Sequence, residues 1–236
     1  MTSPARRPSR ARAPAAALAP AAVALAATAL AAPAPAAAAG PSLGYRVTIV
    51  NATASNQLTP VLAAVHSPSV GLFEIGEPAS EELATLAESG DTGPLEGLLG
   101  SLDAVSSATT AAGPTNGLTF AGETVEFEIE ASPYRDVLSL AAMILPTNDA
   151  FVALDSVRLP RHGSRTWYAL GHDAGSEADD ELCANIPGPT CGEDGGGDEG
   201  EGFVHVSGGI HGVGDLPEEI YDWRNPVATV TITRVR

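Results

Sequence analysis

The segment that most constrains the fold is FAGETVEFEIEAS, residues 120–132, in which apolar and acidic residues alternate. Val125, Phe127 and Ile129 fall on one face, and the glutamates between them fall on the other. A repeat of two residues is the repeat of a β-strand, whereas an amphipathic helix repeats every 3.6 residues. The segment therefore predicts a strand with one face in the core and one face in water.

Other stretches of the chain are also β-like, and helical patterns are confined to one region. Ser80 can cap a helix that Gly90 ends, and leucines recur at helical spacing shortly afterwards. Several short strands with helices in a single insertion indicate a mainly β protein, an antiparallel β-sandwich with a short helical insertion that covers apolar surface. The remaining strands are predicted at 44–51, 58–67, 137–145, 151–159, 166–170, 202–210 and 226–235, and the helices at 78–90 and within 94–106.

The first forty residues predict a secretory signal peptide rather than part of the fold. Four arginines and no acid precede an alanine-rich apolar stretch that ends in small residues near Ala39. This is the order of a basic region, an apolar region and a cleavage site. An uncleaved anchor is the alternative, but Pro20, Pro33 and Pro35 interrupt the apolar run. We expect a signal peptide over 1–40, a domain over 41–236, and a secreted protein that is extracellular or periplasmic and does not insert into a membrane after cleavage.

The charge of the chain excludes some partners. Of its 12 basic residues four lie in the first forty, so eight remain against 29 acids, a net charge of −21, and no lysine occurs. Such a surface repels nucleic acid and anionic lipid. It suits a protein that is soluble in salt or that attracts cations.

The chain has two cysteines, Cys183 and Cys191. In an exported protein an even pair favours a disulfide, and the two prolines and the glycine between them allow the chain to turn back. A zinc site is disfavoured because no second pair of ligands stands at zinc spacing.

The candidate metal ligands are acids near two predicted strand ends. Asp149 lies between the strands at 137–145 and 151–159, and GHDAGSEADDE brings Asp173 and Glu177 some two dozen residues later. Gly175 lets the backbone bend so that both carboxylates can point at one centre. Calcium takes six to eight oxygen ligands from adaptable loops, and Asp179 and Asp180 could support them. The alternative is a solvated acidic loop.

Two further stretches are weaker candidates for a functional site. The segment GEDGGGDEGEG, 192–202, has no repeated period and is typical of a flexible acidic loop. His205, His211 and Asp215 could bind a transition metal or form the acid and base of a metal-dependent hydrolase. Their spacing matches no helical two-histidine motif, so structural roles are the alternative.

Other enzymatic motifs are missing from the sequence. It has no Gly-x-Ser-x-Gly elbow and no glycine loop that opens a helix around a phosphate. The aromatics Trp167, Tyr168, Tyr221 and Trp223 are interpreted as core or corner residues rather than a stacking platform. We therefore expect no enzymatic activity.

Five blocks of the chain resemble the spondin domain of F-spondin, mindin and a set of bacterial secreted proteins. They are YRVTIVN, LAAMILPTNDAFVALDS, HDAGSEADDE, IPGP and DWRNPVATVTITR, and they span residues 44–236. The resemblance implies a C2-like β-sandwich, similar to calcium-binding membrane-associated domains, with Ca²⁺ at one end. The ligand acids of the family map onto Asp149, Asp173 and Glu177.

The chain departs from the animal members at two positions. Glu177 stands where they have aspartate, which keeps the charge and adds one methylene. Ala150 stands where they have tryptophan, which implies that any partner contact of that ring is missing here. The resemblance implies a binding or adhesion-like module whose partner is an extracellular protein or glycan, although adhesion follows from analogy with the fold alone.

Overall fold

The structure is a computed structural model that describes residues 42–192 and 195–235. The predicted signal peptide, residues 1–40, lies outside this part of the chain. The elements of the described residues are β1 (Leu43–Asn51), β2 (Gln57–Leu58), β3 (Val61–His66), α1 (Glu81–Ser89), α2 (Gly93–Gly100), β4 (Val105–Ala111), β5 (Thr124–Ala131), β6 (Val137–Leu145), β7 (Ala150–Arg158), β8 (Ser164–Asp173), a 3-10 turn (Cys183–Asn185), β9 (His205–Val206), α3 (Glu218–Tyr221) and β10 (Ala228–Arg234).

The strands form one antiparallel sheet in the order β4-β3-β6-β7-β8-β10-β1-β5, with β2 on β6 and β9 on β8. The two end strands meet where Ser107 Oγ donates a hydrogen bond of 2.6 Å to the carbonyl of Glu130. The sheet is therefore nearly closed, and a continuous apolar core joins its two halves. The predicted mainly β, antiparallel fold with a helical insertion is confirmed.

The alternating segment forms β5 and pairs with β1 in the register that its pattern requires. Val125 lies opposite Ile49, and Ile129 lies opposite Tyr45, so apolar residues of both strands enter the same core. On the outer face Arg46 contacts Glu126 at 3.4 Å and Glu128 at 3.3 Å. Such exposed ion pairs stabilise the fold only slightly, so burial of the inner face decides the register.

Strand β6 is buried along its whole length because it is covered on both sides. Leu138 and Leu140 face the core between the two halves of the sheet, whereas Ala141 faces a second core that includes Phe151. The second core is closed by α1 and α2, which contribute residues such as Leu86. The continuous apolar run of β6 in the sequence is explained by this double cover.

Two element predictions need correction. The helix predicted within 94–106 ends at Gly100, and Val105–Ala111 then forms β4. Every residue of β4 is half-buried, so its small polar side chains show no alternation. The strand predicted at 202–210 is reduced to His205–Val206. Among the aromatics Trp223 is buried, but Tyr168 is 68 % exposed, so it is not a core residue.

The disulfide Cys183–Cys191 is present, as predicted. None of the helices in residues 42–192 and 195–235 is long and apolar enough to cross a membrane.

The helical insertion is expected to stabilise the sheet through its buried face. Leu86→Ala should lower the free energy of unfolding by about 2–5 kcal/mol, because the leucine is fully buried and its loss leaves a cavity. Urea denaturation measures this change. Leu98→Ala is the matched control, since Leu98 is 39 % exposed and its loss should cost under about 1 kcal/mol. Equal costs for the two variants would show that the helices do not cover a core.

Candidate metal centre

Asp149 lies in a short connection between β6 and β7 whose flanking backbone groups form hydrogen bonds with the side chain of Thr147. Thr147 Oγ1 donates a hydrogen bond of 2.5 Å to the carbonyl of Ile144 and accepts one of 3.2 Å from the amide of Ala150. Thr147 therefore closes the turn. The side chain of Asp149 is left for other contacts, although it is fully buried.

One carboxylate oxygen of Asp149 binds the loop that follows β8. Oδ2 accepts hydrogen bonds from the amides of Ser176 at 2.7 Å and Glu177 at 3.0 Å, and from Ser176 Oγ at 3.1 Å. Gly175 makes the bend possible, as predicted, because its φ is +66° and a Cβ there would lie 2.4 Å from the carbonyl oxygen of Phe203. Asp149 thus joins two loops at one end of the sheet.

Three buried carboxylate oxygens in this region have no hydrogen-bond partner: Asp149 Oδ1, Asp173 Oδ2 and Glu177 Oε2. Asp149 and Asp173 are fully buried and Glu177 is 6 % exposed. A buried charge without a partner is costly, and side chains in this state either take up protons or bind a cation. The oxygens that remain unsatisfied therefore mark a site where positive charge would be stabilised.

The pKa values of these acids also indicate that their negative charges are not compensated. Burial raises the pKa of Asp149 above its usual range. Burial, together with repulsion from the Asp149 and Asp179 carboxylates, raises the pKa of Asp173 to about 9. Burial also raises the pKa of Glu177 to about 7, although a hydrogen bond from the amide of Gly197 opposes this effect. These acids resist ionisation together because each ionised carboxylate repels the others.

The carboxylates that converge are Asp149, Asp173 and Asp179. Each offers one oxygen, and the three oxygens lie within 4.8 Å of one another. The predicted set was Asp149, Asp173 and Glu177, so two of its members are brought together. Glu177 lies beside them, but its Oε1 accepts a hydrogen bond of 2.9 Å from the amide of Gly197, and it joins no such group among the described residues.

Asp180, which was predicted to support the ligands, and its neighbour Glu181 are both engaged by hydrogen bonds from the surrounding loops. Burial alone would raise the pKa of Asp180, but hydrogen bonds from the amide of Leu182 and from the Asn148 and Asn185 side chains lower it below its usual range. Glu181 accepts hydrogen bonds from the amides of His211 and Val213. These two acids fix the loop after Asp179 and leave the converging carboxylates as a separate group.

The glycine-rich acidic segment is not a free loop over residues 195–202. The main-chain carbonyl of Asp198 accepts a hydrogen bond of 2.9 Å from the amide of Ala178, and the amide of Gly202 donates one of 2.8 Å to the carbonyl of Gly175. A β-bridge joins Glu177 to Glu199. The segment therefore packs along the 175–178 loop and covers it, which the lack of a sequence period did not reveal.

His205 belongs to this region, whereas His211 and Asp215 do not. Strand β9 places His205 opposite Asp173, with Nε2 at 3.5 Å from Asp173 Oδ1 and 3.8 Å from Glu201 Oε2. These three residues form a second group of possible metal ligands. Glu201 was missed because the 195–202 segment reaches Asp173 by packing along the 175–178 loop, which no residue spacing indicates.

The other two members of the predicted transition-metal site, His211 and Asp215, lie elsewhere. His211 Nδ1 is 4.0 Å from Glu181 Oε1, and Asp215 Oδ2 accepts a hydrogen bond of 3.0 Å from the amide of Cys183. Within the described residues His205, His211 and Asp215 do not form a group that could hold one ion.

The fold and site define an antiparallel β domain with a cluster of acids, two of them buried, at one end of its sheet. In a comparison with protein families, the Spondin_N description matches residues 51–172. The chain belongs to this spondin N-terminal domain family, and the assignment indicates an extracellular domain. A search of curated proteins found no match.

The raised pKa values predict how stability depends on pH when cations are removed. In chelator the folded protein holds protons that the unfolded chain has released, so the free energy of unfolding should fall as pH rises from about 5 to about 7.5. The slope is about 1.4 kcal/mol per pH unit for each carboxyl protonated only in the folded state. Urea denaturation in chelator at several pH values measures it.

Asp173→Asn provides the control, because it removes one of these carboxyl groups and should make the slope smaller. A free energy of unfolding that rises over the same pH range in chelator would contradict the assignment of these acids as uncompensated.

Proposed function

We propose that the protein is a secreted, non-enzymatic module that binds Ca²⁺ at the acid cluster and uses the ordered end of its sheet to bind an extracellular protein or glycan. The observation that carries the proposal is the set of three buried carboxylate oxygens without partners on Asp149, Asp173 and Glu177. Asp149 lies on the β6–β7 connection, whereas Asp173 and Glu177 lie at the end of β8 and in the loop beyond it; His205 Nε2 contacts this group at 3.5 Å from Asp173 Oδ1.

The donor set fits calcium better than a softer metal. All of the converging atoms on Asp149, Asp173 and Asp179 are carboxylate oxygens. Calcium prefers six to eight oxygens in loops that can adjust, and water and carbonyl groups can complete the number. Asp149, Asp173 and Asp179 would hold the ion, with Glu177 as a neighbouring carboxylate, so the expected role of Glu177 as a direct ligand gives way to Asp179.

The bound ion would supply positive charge to the loops that meet at Asp149. Asp149 comes from the short β6–β7 connection, which the sheet fixes, whereas Asp173 and Asp179 come from the end of β8 and the loop beyond it. The ion would offset the repulsion between the three carboxylates and so hold the two loops together. The surface formed by these loops would then be rigid, which lowers the entropic cost of binding a partner.

A non-enzymatic role is supported by a buried group, among the residues that the structure describes, that has the composition of a catalytic triad but not its order. His66 Nε2 lies 2.7 Å from Ser139 Oγ, and Ser139 Oγ donates a hydrogen bond of 3.0 Å to Asp155 Oδ1. The serine lies between the histidine and the acid, and His66 and Ser139 are fully buried. The order differs from a Ser-His-Asp relay and no substrate can reach the hydroxyl, so the group stabilises the core.

Calcium titration calorimetry on substituted proteins tests the ligand set. Asp149→Asn, Asp173→Asn and Asp179→Asn should each weaken calcium binding by roughly tenfold or more, because each removes a charged ligand. Glu177→Gln should weaken it less than Asp179→Asn does, since the Glu177 carboxylate is engaged by Gly197.

Glu96→Gln is a matched control for the charge change, because Glu96 lies on α2 of the helical insertion and its carboxylate accepts a hydrogen bond from Thr110 of β4. It should leave calcium binding unchanged. Equal affinity in wild type and all three asparagine variants would refute the calcium site. A larger loss in Glu177→Gln than in Asp179→Asn would restore the ligand set expected from the sequence.

A second candidate is a transition-metal site, and one observation favours it in revised form. His205, Glu201 and Asp173 offer one nitrogen and two carboxylate oxygens within 4.8 Å of one another. Imidazole and carboxylate together suit zinc better than calcium. Stoichiometric zinc or copper in the purified protein that is lost in His205→Ala would favour this site, and calcium alone would exclude it.

A further inference from the structure

The few basic residues of this acidic chain are unevenly distributed. Outside the first forty residues the sequence holds eight arginines, and four of them line one cavity of about 470 Å³. The cavity lies where β6 begins and β7 ends, at the opposite end of these strands from the acid cluster. The four arginines are Arg135, Arg158, Arg161 and Arg234.

The positive charge of the cavity is only partly compensated. Arg158 Nη1 pairs with Asp136 Oδ2 at 2.6 Å, and Asp136 is the one acid among the lining residues that the structure describes. Arg135 Nε donates a hydrogen bond of 3.0 Å to the carbonyl of Asp103. A carbonyl partner orients a guanidinium without neutralising its charge. The cavity therefore keeps an excess of cations.

Tyr134 is an exposed aromatic residue at the rim of the cavity, and its backbone has a conformation that residues other than glycine rarely adopt. Tyr134 has φ of +71° and is 92 % exposed, in a turn closed by a hydrogen bond from the amide of Arg135 to the carbonyl of Ser132. Glycine or asparagine occupies such a turn position at less cost, and burial cannot explain a ring in water. The ring is accessible to a ligand, and the apolar Leu159 forms part of the wall of the same cavity.

We propose that this cavity binds a small acidic sugar, one whose carboxylate or sulfate group is held by the arginines and whose ring packs on Tyr134. Guanidinium groups match the planar oxygens of carboxylate and the oxygens of sulfate through paired hydrogen bonds. The volume falls in the range of small-molecule sites. An aromatic beside the cations adds a flat apolar surface, which an inorganic anion would not use.

A small ligand fits the charge of the whole chain better than a polymer does. The formal net charge is −17, so a long polyanion would be repelled beyond the cavity, whereas one or two negative charges would sit within a Debye length, about 8 Å, of the arginines. This argument disfavours nucleic acid and extended sulfated polysaccharides.

The cavity and the acid cluster are separate sites. The nine residues of β6 lie between them, which corresponds to about 25–30 Å. Binding of an acidic sugar therefore does not depend on the proposed calcium ion, and its failure would leave the calcium proposal untouched.

Titration calorimetry in chelator tests the cavity with glucuronate and glucose 6-sulfate as probes. Both should bind the wild type, and neutral glucose should not. Arg161→Gln should weaken binding roughly tenfold or more, because Arg161 lines the cavity and forms no ion pair with another residue that the structure describes. Tyr134→Ala should weaken binding of the sugars but not of inorganic sulfate.

Arg224→Gln is the matched control, because Arg224 is 90 % exposed, lies outside the cavity and carries the same charge. It should bind both probes as the wild type does. The proposal is overturned if neither probe binds, if Arg224→Gln weakens binding as much as Arg161→Gln, or if a long heparin fragment binds more tightly than either monosaccharide. Inorganic sulfate that binds as tightly as the sugars, with no effect of Tyr134→Ala, would overturn the assignment of a sugar.

Discussion

The carboxylate of Asp149 connects the rigid and the variable parts of this domain. Its Oδ2 accepts hydrogen bonds from the amides of Ser176 and Glu177, while its Oδ1 is buried without a partner. The first oxygen fixes the loop beyond β8, and the second leaves a charge that the protein must neutralise. The loop geometry and the proposed ion both depend on this division between the two oxygens, since each oxygen could otherwise have been satisfied locally.

The sheet explains why an acid can be held in such a costly place. Strand β6 is covered on one side by the core between the two halves of the sheet and on the other by α1 and α2, so its ends are fixed in position. The β6–β7 connection is therefore fixed in position as well, and the side chain of Asp149 cannot turn out into water. At the other end of the same strands lie Arg135 and Arg158, so the domain separates acidic and basic side chains along the strand direction. The separation places two sites of opposite charge on one framework.

Much of the fold could be predicted because its signals are local. The alternation at 120–132 predicts β5 and its buried face, and Ser80 and Gly90 mark the ends of α1 as a cap and an αL terminus. Strand β4 could not be predicted, since its half-buried Ser, Thr and Ala residues give no alternating pattern. In the site, Asp149 and Asp173 follow from their positions at strand ends. Asp179 and Glu201 converge through loop folding, which residue spacing does not encode.

Calcium at Asp149 is tested most directly by a crystal structure of the protein grown with calcium, with data collected at a long wavelength to detect anomalous scattering. A calcium site predicts an anomalous peak at about 2.3–2.6 Å from Asp149 Oδ1 and Asp173 Oδ2, with an oxygen of Asp179 in its coordination shell. A site without a peak, with water or a hydrogen bond between the two carboxyl groups, would contradict it.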